Sequence, residues 1–147
     1  MRDLHNKITV VEALETIVVN DDTEGTGAVV DLAGANAAEL IVAVGQSGDT
    51  LSGSVKLDLK LQHGDAANLS DAAAVAAADV LGSWATGGIF ATVDADGEDG
   101  TVYRVGYRGS KRYIRLFVDT TGTHTNGTPI GAVVVLAHER HKGGKPV

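Results

Sequence analysis

The densest group of potential metal ligands in the chain is the acidic segment Asp94–Gly100, DADGEDG. Its closely spaced carboxylates supply the oxygen atoms that Ca²⁺ prefers. An EF-hand loop, however, requires glycine at its sixth position and glutamate at its twelfth. Counting from Asp94, these positions hold Asp99 and Val105. The spacing therefore predicts a solvated acidic turn and no calcium site.

Three histidines near the carboxyl end are the next candidates for metal binding: His124, His138 and His141. The metalloprotease signature HExxH places two imidazoles on one face of a helix. His138 and His141 stand in HERH, with shorter spacing, directly after an apolar strand. Because the pattern does not match, the sequence predicts no bound metal and no cofactor.

Phosphate binding and nucleophilic catalysis are equally unsupported. The glycine-rich segment Gly45–Gly53, GQSGDTLSG, lacks the GK[ST] ending and the following helix of a phosphate-binding loop. Serine, histidine and aspartate are present, but without a GxSxG elbow that would place a serine for attack. We therefore predict that the protein is not an enzyme, has no small-molecule substrate and acts by binding.

The charges of the chain are divided between its two parts. Residues 1–100 contain four Lys or Arg against seventeen Asp or Glu, whereas residues 101–147 contain eight against two. An acidic body with one basic segment favours binding in a fixed orientation. The net charge of −7 argues against a nucleic-acid partner, because phosphate contacts need a dominant positive surface.

Five of the cations fall within twelve residues, namely Arg104, Arg108, Lys111, Arg112 and Arg115. They alternate with aromatic side chains, and Tyr and Arg are enriched at interface hot spots. Two alternating arms, Thr101–Arg108 and Lys111–Asp119, flank Gly109-Ser110, which predicts a β-hairpin with a type II′ turn. This basic hairpin is either a solvated face or an interface, and the aromatic content favours the interface.

The remaining elements that would position this hairpin are mostly strands. Ser54–Gln62 alternates apolar and polar residues, which predicts a strand with one face in the core. Glu39–Val44 and Gly131–Leu136 are continuous apolar runs, typical of strands buried on both faces. Ile89–Val93 predicts a shorter strand. Ser70–Leu81 is rich in alanine and predicts a short helix or an ordered loop.

Short strands joined by glycine-rich turns indicate an all-β fold, a jelly-roll β-sandwich with at most one short helix. The length of 147 residues fits a single domain over 1–147, without disulfides because cysteine is absent. Residues 1–20 are either an arm donated to a neighbouring chain or, as we prefer, the first strand. Residues 139–147 are expected to form a polar C-terminal tail. No apolar run reaches the length that spans a bilayer, so no membrane partner is expected.

The only tryptophan, Trp84, lies between glycines in the segment Gly82–Gly88. A loop tryptophan is either a lid over the core or an anchor in an interface. We prefer the lid, because most large aromatic side chains are mainly buried, and we also keep Trp84 among the interface candidates.

Two strings in the C-terminal part resemble a known family. GYRGSKRYIRLFVD (Gly106–Asp119) and TGTHTNGTPIGAVVV (Thr121–Val135) are similar to the capsid cement proteins of tailed bacteriophages, small jelly rolls of the type that decorates a Bordetella phage head. The N-terminal part is similar in order, with DLAGANA at Asp31–Ala37 and SVKLDLKLQHGD at Ser54–Asp65.

The resemblance implies a non-enzymatic protein that binds the outside of the major capsid protein shell and stabilises it. It also implies a homo-oligomer, for which we expect a homodimer rather than a homotrimer, placed on the capsid surface of the virion after synthesis in the host cytoplasm. The alternative function is a β-sandwich binding module of a phage fibre or tail that recognises a glycan or host surface. The predicted interface residues are Arg104, Tyr107, Arg108, Lys111, Arg112, Tyr113, Arg115, His124, Asn126 and Trp84.

Overall fold

The computed structural model describes residues 3–138 of the chain. Within that range the only helical elements are two single 3₁₀ turns, His5–Lys7 and Ala77–Asp79. The strands are β1 (Ile8–Val19), β2 (Val30–Asp31), β3 (Ala37–Val44), β4 (Lys56–Gly64), β5 (Ala73–Ala74), β6 (Val80–Leu81), β7 (Ile89–Val93), β8 (Val102–Tyr107), β9 (Tyr113–Thr121) and β10 (Thr128–Ala137).

The strands form two antiparallel sheets packed face to face. Sheet A has the order β1-β10-β3-β8-β6, and sheet B has the order β2-β9-β4-β5, with β7 also paired to β4. Leaving aside the two-residue strands β5 and β6, the chain changes sheet at every connection except that from β4 to β7, which pair with each other in sheet B. This is the double Greek key of a jelly roll. The prediction of an all-β jelly-roll sandwich is therefore confirmed.

The core lies between the sheets and is built largely by alternation along the long strands, most regularly along β3, β9 and β10. On β4 the side chains of Leu57, Leu59 and Leu61 are fully buried, as the polar alternation of this segment predicted. Ile130 and Val134 of β10 are buried on the facing sheet. Each such aliphatic side chain contributes about 1.5–3 kcal/mol relative to an exposed position.

The N-terminal segment Ile8–Val19 is β1, which pairs antiparallel with β10 of the same chain and forms one edge of sheet A. The segment Ser70–Leu81 contains β5, a 3₁₀ turn and β6, so its order comes from short strands rather than from an α-helix. The predicted tail at 139–147, which includes His141, lies outside the described residues.

The prediction that β3 and β10 are buried on both faces is wrong. Their side chains alternate, so that Leu40 and Val134 are buried whereas Ile41 and Val133 are only half covered. The reason is that no second layer packs on the outer face of sheet A within the part of the chain that the structure describes. The continuous apolar runs therefore reflect one core face and one apolar outer face.

The predicted β-hairpin is also wrong, because its two arms lie in different sheets. β8 pairs with β3 and β6, whereas β9 pairs with β4 and β2. Both arms carry an apolar stripe, and placing them in opposite sheets lets both stripes face the same core. The backbone between them is tied to other loops: Arg108 N–H donates to the Asp79 carbonyl at 2.8 Å, and the Arg112 carbonyl accepts from Leu32 N–H at 2.9 Å.

Candidate interaction surfaces

Residues 108–112 connect sheet A to sheet B at one end of the sandwich, and we call them the crossing loop. The loop contains three cationic residues. The side chains of Arg108 and Arg112 are exposed and that of Lys111 is partly exposed. Arg108 Nε donates to the Ala78 carbonyl at 2.8 Å. Lys111 Nζ forms an ion pair with Asp65, which raises the pKa of the lysine. The crossing loop thus presents an ordered group of positive charges.

Arg112 makes the most specific contact of the crossing loop. Its Nε and Nη2 atoms donate to the two carboxylate oxygens of Asp31 at 2.9 and 2.8 Å, a bidentate pair. The guanidinium carbon also lies 5.1 Å from the ring centre of Tyr113. The hydrogen bonds from Arg112, followed by that from Ala33 N–H, lower the pKa of Asp31 to about 2.

The other two cations of the predicted hairpin lie elsewhere. Arg104 is on the outer face of sheet A, 3.2 Å from Glu39, and Arg115 is on the outer face of sheet B, where its Nε donates to Gln62 at 2.7 Å. The structure therefore divides the five cations among three surfaces. Much of the charge asymmetry seen along the sequence is compensated by ion pairs within one chain, each worth at most about 1 kcal/mol when exposed.

Tyr107 belongs to the interior, although the sequence placed it among the interface candidates. Its side chain is buried, and burial raises the pKa of its hydroxyl. The hydroxyl lies 2.9 Å from His63 Nδ1 and accepts a hydrogen bond from Lys111 N–H at 3.1 Å. The two rings meet edge to face with 5.8 Å between their centres. Tyr107 thus supports the crossing loop from beneath, whereas Tyr113 is half-buried on the outer face of sheet B.

His124 and Asn126 lie at the opposite end of the sandwich, in the loop between β9 and β10. His124 is buried and its Nε2 lies 3.1 Å from the Thr121 carbonyl. Asn126 is exposed, and its backbone N–H and side-chain amide bind Asp49 and the Gly48 carbonyl, each at 3.0 Å. The nine residues of β9 separate these positions from the crossing loop, which is about 27 Å at the usual rise of a strand.

Trp84 has an intermediate position that supports neither sequence interpretation alone. Its side chain is 40% exposed, and its Nε1 donates to the Val75 carbonyl at 3.0 Å. The indole therefore fixes its own loop and still offers one side to solvent.

The end that contains His124 and Asn126 is strongly acidic. It is formed by four loops, 20–29, 45–55, 94–101 and 122–127, none of which contains Lys or Arg. Their carboxylates are Asp21, Asp22, Glu24, Asp49, Asp94, Asp96, Glu98 and Asp99.

Several carboxylates of this acidic end join one loop to another by accepting backbone N–H groups. Asp99 accepts from Ser47 at 2.8 Å, and Asp96 accepts from Leu51 at 3.0 Å. Between residues 3 and 138 no cluster of three or more His, Asp or Glu side chains is arranged to hold a metal ion. The loop carboxylates thus have a clear structural role as acceptors.

We expect the acidic end to lose stability at low pH. Hydrogen bonds from Asn126 N–H and then Gly127 N–H outweigh partial burial and lower the pKa of Asp49 below its ordinary 3.8. The stabilising effect of this carboxylate is therefore complete above about pH 4 and is lost as the pH falls through the lowered pKa. Thermal unfolding between about pH 7 and pH 2 should show a smaller acid-induced loss in Asp49→Asn than in the unmodified protein. Glu15→Gln, which changes an exposed carboxylate on β1, is the matched control and should retain the full loss.

The outer face of sheet A is the largest feature that the sequence analysis missed. We call it the apolar face; its nonpolar residues include Val10, Val18, Ile41, Ala43, Leu81, Val102, Val133 and Val135. The ion pair between Arg104 and Glu39 also lies on this face. Val102 is 64% exposed, Leu81 57% and Val10 56%. An open groove of about 490 Å³ lies over β1, β10 and β3 on this side of the sheet. Contiguous exposed apolar surface of this kind marks interaction sites.

The outer face of sheet B differs sharply in chemistry. Lys56 pairs with Asp58 at 2.8 Å, and Lys60 forms an ion pair with Asp119 on the neighbouring strand. Sheet B therefore presents a polar surface on which both lysines pair with carboxylates and Arg115 binds the neutral Gln62. The apolar runs ELIVAV and GAVVVL supply much of this contrast, since half of their side chains point away from the core, but the runs alone do not tell an exposed outer face from a covered one.

Comparisons of the chain with protein-family models, with curated proteins and with solved structures found no match. None of the helical elements among the described residues is long and apolar enough to cross a bilayer.

Proposed function

We propose that this protein is a non-enzymatic structural protein of a phage head, which binds the outside of the major capsid protein shell and stabilises it as cement. In this proposal it is located on the capsid surface of the virion. The observation that carries the proposal is the crossing loop. One of the two strings that carry the cement-protein resemblance contains this ordered loop, and the chain around it folds as the jelly roll that the resemblance implies.

The crossing loop is suited to gripping a protein surface. Arg108 and Arg112 are exposed, and the backbone beneath them is fixed by Tyr107 and by the loop contacts of Asp79 and Leu32. A fixed array of guanidinium groups recognises carboxylates with little loss of conformational freedom. Each copy needs only modest affinity, because many copies on one shell act together.

Co-sedimentation with phage heads tests the proposal. The purified protein should sediment with expanded empty heads of its phage and not with unexpanded ones. Arg108→Glu and Arg112→Glu should each reduce binding about tenfold, because each replaces an attraction with a repulsion at the contact. The melting temperature of Arg108→Glu should change little, because this side chain is exposed and pairs with no carboxylate. Arg112→Glu should melt lower, because it replaces the bidentate pair with Asp31 by two neighbouring carboxylates, so its binding is compared at a temperature where it is fully folded. Binding should also weaken as salt is raised.

Arg115→Glu provides the matched control, because it makes the same charge change on the outer face of sheet B. It should bind heads nearly as well as the unmodified protein. Equal losses in all three variants would indicate dependence on net charge and would contradict a contact at the crossing loop. Binding to neither kind of head, together with specific binding on a glycan array, would contradict the cement function and support the fibre or tail module.

A further inference from the structure

The apolar face has no partner within the part of the chain that the structure describes. We propose that it binds the same face of a second copy, giving a two-fold symmetric dimer in which the two sheets A pack face to face. This inference does not depend on the proposed function, because it rests on the residue pattern of the face alone.

One row of residues across sheet A carries the inference. Strand pairing places Glu12 of β1 opposite Val133 of β10, Val133 opposite Ile41 of β3, and Ile41 opposite Arg104 of β8. The row therefore begins with a carboxylate, continues with two half-covered aliphatic side chains and ends with a guanidinium. Glu12 and Arg104 are both exposed.

When a second copy of this row is placed over the first in the opposite direction, opposite charges meet at the ends and aliphatic side chains meet in the middle. A two-fold axis that runs parallel to the strands, between β10 and β3, places β1 of one copy over β8 of the other. Glu12 then faces Arg104 of the other copy at both ends of the row, where Arg104 keeps its contact with Glu39 of its own chain at 3.2 Å, and Val133 faces Ile41 in the middle. An axis across the strands would instead place Glu12 over Glu12, which like-charge repulsion disfavours. Isologous contacts of the first kind are the commonest way in which identical chains associate.

The size of the face fits a weak dimer. Four strands about 4.8 Å apart and about eight residues long cover roughly 500 Å² of plane. Stable interfaces of standard size bury about 800 Å² per partner. We therefore expect a dissociation constant in the micromolar range rather than an obligate dimer.

Sedimentation velocity of the purified full-length chain, over a concentration range from about 1 to 200 μM, tests the association. The unmodified protein should shift from monomer to dimer within this range. Val133→Lys places a charge at the centre of the face and should raise the dissociation constant at least tenfold. Val29→Lys makes the same change at a partly exposed valine before β2, away from the face, and should leave the association unchanged.

A charge exchange provides the sharper measurement. Glu12→Arg and Arg104→Glu should each raise the dissociation constant about tenfold, because each places like charges opposite one another. The double variant should return it to within about threefold of the original value. Within one chain the two side chains lie three strand spacings apart, about 14 Å, which exceeds the screening length at physiological salt. Recovery in the double variant can therefore arise only between copies.

Three results would overturn the inference. They are a protein that stays monomeric throughout the concentration range, a dimer unaffected by Val133→Lys, and a double variant as weak as the two single variants combined. A dimer that forms only after deletion of residues 139–147 would also overturn it, because this segment would then cover the face in the intact chain. The measurement needs no phage heads, so its failure is separate from failure of the co-sedimentation test.

Discussion

Replacement of Tyr107 with alanine is expected to lower the free energy of unfolding by about 4 kcal/mol, the usual cost of removing a buried aromatic ring. The ring lies in the core, and its hydroxyl accepts the Lys111 N–H and contacts His63. Tyr107→Phe should cost only about 1–2 kcal/mol, because it keeps the ring and removes the hydrogen bonds. Urea unfolding monitored by circular dichroism measures both values.

Tyr113→Ala is the appropriate control, since both tyrosines come from the same predicted interface. Tyr113 is half-buried under Arg112 on the outer face of sheet B, so its loss should cost about 1 kcal/mol or less. If Tyr107→Ala unfolded at the same urea concentration as the unmodified protein but no longer bound heads, Tyr107 would be a surface contact and the buried position would be wrong.

Gly122→Ala is expected to destabilise the turn between β9 and β10 by about 3 kcal/mol or more. Gly122 has a φ of +85°, a left-handed conformation that costs residues with a Cβ atom about 1–2 kcal/mol. The added Cβ would also collide with the Ser54 carbonyl and approach Val55 Cα to 3.1 Å. Because both neighbours are backbone atoms of the adjacent loop, relief requires movement of the loop itself.

Gly53→Ala tests whether this loss is specific to Gly122. Gly53 lies in the loop that Gly122 approaches, but a Cβ there would meet no atom within 4 Å and its φ is not left-handed. We expect its melting temperature to stay equal or rise slightly, because alanine restricts the unfolded chain. Equal losses in the two variants would show that the loop tolerates no side chain for another reason.

The strands could be predicted from local patterns, whereas their partners could not. Alternation along Ser54–Gln62 correctly assigned Leu57, Leu59 and Leu61 to the core, because the two-residue period of a strand is a local property. The Gly109-Ser110 pair predicted a hairpin from an equally local pattern, and this prediction was wrong. The choice between pairing β8 with β9 and placing them in opposite sheets depends on β3 and β4, which lie far away in the sequence.

The candidate surfaces were predictable only in part, for a similar reason. Exposure of Arg108 and Arg112 followed from charge alone. The position of Tyr107 was indicated by its alternation with Arg104 and Arg108, but the aromatic content of the segment favoured an interface instead. The apolar face was not predictable from the runs themselves, since periodicity cannot separate a strand covered on both sides from one that exposes nonpolar side chains. The cement-protein resemblance stays a prediction until the head-binding measurement is made.

The place of β10 has a consequence for how the molecule is made. This strand lies between β1 and β3, and β1 has no other strand partner among the described residues, yet β10 is synthesised after every other strand of the sandwich. A nascent chain that has not yet released β10 from the ribosome therefore holds two incomplete halves of sheet A with open edges, which are prone to aggregate. Sheet A can therefore be completed only after translation has passed residue 137, and with so many distant pairings the folding should be slow.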